Sequence, residues 1–194
     1  MSGAEAVYML ILMRLKTELN PYDDIRLHKS ALLLNIFSKK NCFKINNCLE
    51  ISYFPEIEVL TKQLERLANE LKRESEDSLS VFYNLQEQRI QESYQRSIPY
   101  ILHTATFVNS ITNNRTLLLV TALMALLDTY PLSTVNEILK LLDDNGYLQE
   151  VFTSKIVLTT IVNLERSGVL NQAEGKYGLK YDYRGVTVYQ SLFL

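Results

Sequence analysis

The spacing of apolar positions changes several times along this 194-residue chain, and each change marks an element. Between Ala4 and Leu19, the residues Val7, Leu10, Ile11, Leu15 and Leu19 recur at helical intervals, which predicts a first helix with one apolar face. Asn20-Pro21 ends it, because the residue before a proline is driven out of the helical region. Asp23 and Asp24 stand where a helix N-terminus favours negative charge. A second helix follows to about Lys39, with Ile25, Leu32, Leu33, Ile36 and Phe37 on its buried side and Lys39-Lys40 at its C-terminal end. From Cys42 to Tyr53 the period falls to two. Phe43 and Ile45, then Leu49, Ile51 and Tyr53, alternate with polar residues around Asn46-Asn47, the pattern of a small β-hairpin over about 42–53. Helical spacing returns at Pro55. Ile57, Leu60, Leu64, Leu67 and Leu71 lie 3, 4, 3 and 4 apart, a two-heptad coiled-coil seam in a helix to about Glu76. A further helix, about Leu79–Arg96, puts Phe82, Tyr83, Ile90 and Tyr94 on one side. The short link Ser75–Ser78 makes the pair an antiparallel α-hairpin over about 55–97. Two heptads are marginal alone in water, so the seam is expected to pair, within the fold or with another chain.

Pro99 is expected to break or kink the next stretch, 98–111, and Asn113-Asn114 have the look of a helix cap. Arg115–Tyr130 is the most apolar helix and the expected centre of a C-terminal core; Pro131 ends it. Ser133 precedes Glu137 by four residues, one more than a capping box uses. The helix behind it closes at Asp143-Asp144-Asn145-Gly146. Thr153 or Ser154 then caps an amphipathic helix that stops at Ser167-Gly168, and two short β-like runs flank a turn at Gly175–Gly178. Five of the six glycines lie beyond Asn145, and Val186–Phe193 alternates as a further strand would. Helix, glycine stop and hairpin is how a winged helix-turn-helix ends. The fold class read from the pattern is therefore mostly α. A helical domain over residues 1–113, holding the α-hairpin and the small β-hairpin, precedes a winged-helix domain over 114–194.

Composition narrows the function. Apolar content of 47% and charged content of 22% are those of a globular protein. The net charge of −2 is spread evenly, with 13 basic and 14 acidic groups in residues 1–114 and 7 and 8 in 115–194. Neither half has the basic excess that duplex phosphates usually select. Two cysteines make no disulfide framework, so a reducing cytoplasm is expected. Val7–Met13 has no basic lead-in for a signal peptide, and Leu117–Leu127 is about half the ~20 residues that span a bilayer, so no membrane partner is expected.

No catalytic signature is present. The chain has no phosphate-binding glycine loop, no Gly-x-Ser-x-Gly elbow and no Cys-x-x-Cys. Cys42, Cys48, His28 and His103 are ligand types, but their spacing does not suit zinc. His28 is expected at a helix surface and His103 on a mixed helix. The pairs Asp23-Asp24 and Asp143-Asp144 point apart as neighbours on a helix do. No catalytic residue, metal or cofactor follows, and the chain is read as a non-enzyme.

Binding residues are more visible. On a helical wheel Lys155, Thr159, Thr160, Asn163 and Arg166 form a polar stripe, with Ile156, Val157, Ile161, Val162 and Leu164 filling most of the rest. A DNA recognition helix needs such donors and acceptors, with Asn163 suited to adenine and Arg166 to guanine. Lys176, Lys180 and Arg184 on the wing would meet phosphates. The cations are few, and Glu165, Glu174 and Asp182 lie among them, which favours a protein partner over duplex DNA. Tyr177, Tyr181 and Tyr183 crowd the wing, and Leu60, Leu64, Leu67 and Leu71 line the seam; both groups are candidate protein interfaces.

The runs LLLVTALMALLDTYP, STVNEILKLLDDNG, TSKIVLTTIVNLERSGVL and KYGLKYDY, over about Arg115–Tyr183, resemble winged-helix domains. The whole layout looks like small accessory subunits of SMC or ABC-type ATPase complexes. Among these are tandem winged-helix (KITE-type) subunits and the middle component of bacterial three-component ABC defence systems. The resemblance implies a non-catalytic adaptor that bridges an ATPase and an effector, as in anti-phage or anti-plasmid defence. The alternative it leaves is a winged-helix transcriptional regulator on duplex DNA.

Overall fold

Among the described residues the first part of the chain holds α1 (Gly3–Glu18), α2 (Asp24–Ser38) and α3 (Gln88–Asn109). The computed structural model describes residues 3–39, 62, 88–146, 148 and 152–180. Asp23 caps α2 by accepting from the Arg26 amide at 2.7 Å, and Lys39 closes it in the left-handed region at φ 50°. The predicted span of α2 holds, but the one-sided reading of its burial does not. Every residue from Arg26 to Phe37 is buried, including Arg26, His28, Lys29, Ser30 and Asn35. Ile25, expected inside, is 50% exposed, and His28, expected at a surface, is buried. The reason is position: α2 packs on both α3 and α4 (Asn114–Thr129), so it has little outward side to give to polar residues.

The expected separation of a helix ending at Arg96 from a stretch beginning at Ile98 is also corrected. Gln88–Asn109 is one continuous helix with Pro99 inside it. Proline removes one amide donor from a helix. Here the residue four back, Gln95, is exposed, so water can take the donor's place. The hairpin at 42–53, the seam helix and the start of its partner lie outside the described residues, apart from helical Lys62.

Asn113 caps α4 through the Thr116 amide at 2.7 Å, and α4 buries Leu117 and every residue from Leu119 to Leu127. It meets α2 on one side. On the other it meets α5 (Val135–Asp144), α6 (Ser154–Arg166) and the strand Lys176–Leu179. One apolar core thus runs from Ile11 to Leu179 across residue 113. The sheet is small and antiparallel, in the order β1 (Ser133–Thr134), β3 (Lys176–Leu179), β2 (Leu170–Ala173). The described chain is therefore mostly helical with one three-stranded antiparallel sheet. None of its described helices is long and apolar enough to cross a membrane.

β1 was not legible as a strand, and its presence moves the cap. Ser133 pairs with Tyr177 in the sheet and its hydroxyl donates to the Tyr130 carbonyl at 2.8 Å. Thr134 is the N-cap of α5, and it forms a capping box with Glu137 at the usual spacing. Thr153 caps α6, and Ser167 with Gly168 at φ 74° ends it, as the sequence indicates. The turn between the strands is Glu174-Gly175, both at positive φ (51° and 76°), and not the whole of Gly175–Gly178. Lys176, Tyr177 and Gly178 belong to β3, where Leu132 Cδ2 lies 3.3 Å from the place a Cβ on Gly178 would occupy. Two positive φ values are the signature of a type I′ turn, for which Asn-Gly is the preferred pair. Glu174→Asn is therefore expected to raise stability by about 0.5 kcal/mol, read by urea denaturation.

Phe37 joins α2 to α3 through two edge-on ring contacts, to His103 at 4.7 Å and to Phe107 at 5.5 Å between centroids. Burial lowers the His103 pKa from 6.5. The folded state then resists a proton that the unfolded chain accepts, so stability falls as pH drops below about 6.5. His103→Phe is expected to flatten the stability–pH curve below about pH 6.5, measured by denaturation at each pH.

Candidate interaction surface

α6 is held by Val157, Thr160, Ile161 and Leu164, which face the core. Thr160 was expected in the polar stripe; it is buried, and its hydroxyl donates to the Ile156 carbonyl at 2.9 Å. The outward arc carries Lys155, Leu158, Thr159, Val162 and Arg166, with Ile156 and half-buried Asn163 at one flank. Its aliphatic residues are substantially open to solvent: Ile156 43%, Leu158 40%, Val162 37%. Ile156 and Val162, grouped in the sequence with the apolar side, thus face outward. The difference arises because the core face of α6 is only as wide as its contacts with α4, α5 and β2, so much of the circumference stays open.

The polar groups on this arc are less available than the sequence suggests. Thr159 donates its hydroxyl proton to the Lys155 carbonyl at 2.9 Å. Lys155 itself occupies the first turn of α6, where the helix dipole disfavours a cation by a few tenths of a kcal/mol. Arg166 lies in the last turn, where the dipole favours one. The four candidates Lys155, Thr159, Asn163 and Arg166 do share one side of α6.

On the hairpin, Lys176 and Lys180 are exposed. Glu137 has its pKa lowered by the backbone hydrogen bond from Thr134, then by the Thr134 hydroxyl, and also by the charge of Lys176. Lys176 therefore already faces a carboxylate. Tyr177, a candidate interface residue, is only 8% exposed. The strand period turns Tyr177 and Leu179 to the core, so Tyr177 packs and does not present a ring to a partner. Arg184, Tyr181, Tyr183, Leu60, Leu64, Leu67 and Leu71 lie outside the described residues, as do Cys42 and Cys48. Among the described residues, no group of three or more His, Cys, Asp or Glu side chains is placed to hold a metal.

Two features escaped the sequence reading. Leu158 was not singled out, although its place four residues before Val162 puts the two on one face. Arg26 is not singled out by the sequence pattern. The available signal was an arginine followed by a helix of mostly apolar residues. Its guanidinium is buried and donates to the Val108 carbonyl at 3.0 Å and the Ile111 carbonyl at 2.5 Å, fastening α2 to the end of α3. Comparison with known proteins found no family model, no curated protein and no solved structure that matches the chain.

Proposed function

We propose that this chain is a non-catalytic adaptor subunit of a multiprotein complex, and that its C-terminal part is a winged helix used to bind protein. The order α4–β1–α5–α6–β2–β3, with β3 between β1 and β2, supports the winged-helix reading. The observation that carries the functional reading is the outward face of α6. In a DNA reader this face enters the major groove and offers donors and acceptors to base edges. Here Val162 lies beside Lys155 and Arg166 near its middle, with exposed Leu158 towards one edge and exposed Ile156 at the other. Base edges offer little to aliphatic side chains beyond the thymine methyl. Covering the exposed parts of three such residues with apolar protein surface is worth roughly 1 kcal/mol each. The cations Lys155, Arg166, Lys176 and Lys180 are offset by Glu165, Glu174 and Glu137, so little of the phosphate-driven affinity of a duplex binder is on offer. The partner that the accessory-subunit resemblance suggests is an ATPase, with the chain linking it to an effector in a defence system.

The test is recovery of the tagged full-length chain from its native source. A stoichiometric partner should co-purify, and Val162→Asp should lower its recovery at least about tenfold, because an interface that buries a carboxylate without a counter-charge loses several kcal/mol. The variant's melting temperature should stay close to wild type, since Val162 lies outside the core. A monodisperse, partner-free protein would overturn the reading. Retention on duplex DNA at low salt, abolished by Lys155→Glu with Arg166→Glu, would replace it with a regulator.

A further inference from the structure

We propose that Asn145 is a site of spontaneous covalent modification, deamidating through a cyclic imide with Gly146, and that the cap closing α5 holds this reaction back until that helix end opens. This chemistry is independent of what the α6 surface binds.

Asn145-Gly146 is the one Asn-Gly pair in the chain. Both residues are exposed, in the turn that follows α5. No Cβ shields the Gly146 nitrogen, and the space where one would stand is open. In the reaction the Gly146 nitrogen loses its proton to solvent base and bonds to Asn145 Cγ. The Cγ–Nδ2 bond breaks and ammonia leaves. Water then adds to either carbonyl of the five-membered imide and opens it, to aspartate or to isoaspartate. One water enters and one ammonia departs, so solvent supplies everything the reaction consumes.

The folded turn sets three obstacles in the way. The ψ of Asn145 is 12°, so the Gly146 nitrogen eclipses the nitrogen of Asn145 itself. Ring closure needs it to eclipse Cβ, roughly 120° away. The Asn145 carboxamide is tethered, with Nδ2 donating to the Leu141 carbonyl at 2.7 Å. The Gly146 N–H is tethered too, donating to the Asp143 carbonyl at 2.8 Å. Attack therefore requires both hydrogen bonds to break and ψ to turn, which amounts to opening the last turn of α5. Helix ends open at a smaller free-energy cost than the core. Where closing outpaces the chemistry, the rate follows the population of the open form.

Once formed, the carboxylate of Asp or isoAsp has no donor to return to the Leu141 carbonyl. It also adds a third negative charge after Asp143 and Asp144, at the end of a helix whose last turn holds no basic residue. The helix dipole disfavours anions there. A single modification thus turns a transient opening into a lasting one.

The full-length chain is incubated at mildly alkaline pH, native and in urea, and digested at intervals for mass spectrometry. Asn145 should convert to Asp and isoAsp in both samples, about tenfold or more slowly in the native one. Leu142→Ala removes a buried side chain from the last turn of α5 and should raise the native rate, with circular dichroism confirming the fold. Leu142→Val is the milder variant if the alanine form does not fold. Asn109, followed by Ser110 and held by the Asn20 amide and the Glu18 carbonyl, is the control in the same digest and should stay unconverted in the native chain. Asn145→Asp should speed hydrogen exchange in the last turn of α5 by roughly threefold. Equal rates in native and urea-treated chains, or no conversion in either, would overturn the proposal. So would a native rate that the Leu142 variants leave unchanged, a parallel rise at Asn109 and Asn145, which marks global unfolding, or unaltered exchange in Asn145→Asp.

Discussion

Arg26→Met is expected to lower the free energy of unfolding by about 3 kcal/mol. The guanidinium is 1% exposed and donates to the carbonyls of Val108 and Ile111. These groups end α3, where carbonyls have run out of amides further along the helix. Val108 keeps the Ile111 amide at 3.0 Å, so the larger loss falls on the Ile111 carbonyl. Arg26 Nε also lies 3.9 Å from the carboxylate of Asp23. A fully buried ion pair broken on one side costs about 3–5 kcal/mol. Asp23 is 39% exposed, so water takes over part of that role and the lower end applies. Methionine keeps much of the volume, so the loss reads the polar contacts and not a cavity. Arg26→Lys should recover only part of it, because one ammonium cannot span two carbonyls as the planar fork does. Denaturant unfolding followed by circular dichroism measures both, and a methionine variant within about 1 kcal/mol of wild type would show that the clamp contributes little.

Phe107→Ala is the second large effect, at about 3–5 kcal/mol. The ring is fully buried on α3 and meets Phe37 of α2 edge-on. Truncation forfeits the transfer free energy of the ring, leaves a cavity between two helices, and removes an aromatic pair worth about 0.5–1.5 kcal/mol. Phe107→Leu should recover more than half of it by refilling the space. The same denaturation experiment reads both variants. A loss below about 1.5 kcal/mol for the alanine variant would mean that α2 and α3 collapse onto the gap with little strain.

Helix and hairpin boundaries were legible in the sequence where a local signal fixes them. Asp23, Asn113 and Thr153 cap their helices because short oxygen side chains take up free amides, and that choice depends on a few neighbouring residues only. Gly168 ends α6 for the same local reason, a positive φ. What was not legible depends on distant residues. β1 is two residues long, too short for any alternation to show, and exists because β3 returns to pair with it. The all-round burial of α2 follows from its place between α3 and α4, which no spacing along α2 can encode. Pro99 reads as a breaker in isolation and is tolerated because the carbonyl it leaves belongs to an exposed turn.

The candidate surface was legible in part for a related reason. Lys155, Thr159, Asn163 and Arg166 do share a side of α6. The wheel could not tell which of the remaining apolar residues face the core, and the binding chemistry turns on that. Tyr177 shows the converse: an aromatic in a short strand has two faces to choose from, and the register Gln172↔Tyr177 with Ser133↔Tyr177 sends its ring inward.

The burial of α4 between α2 and the C-terminal helices bears on how this chain can be taken apart. A fragment beginning at Asn114 would lose the Asn113 cap of α4 and would turn a leucine-lined flank towards water. Such a fragment would self-associate through that flank rather than behave as a free module. Grafting the α6 surface onto another scaffold would need α4, α5 and β2, on which α6 packs, together with a cover for the flank of α4 that α2 occupies here.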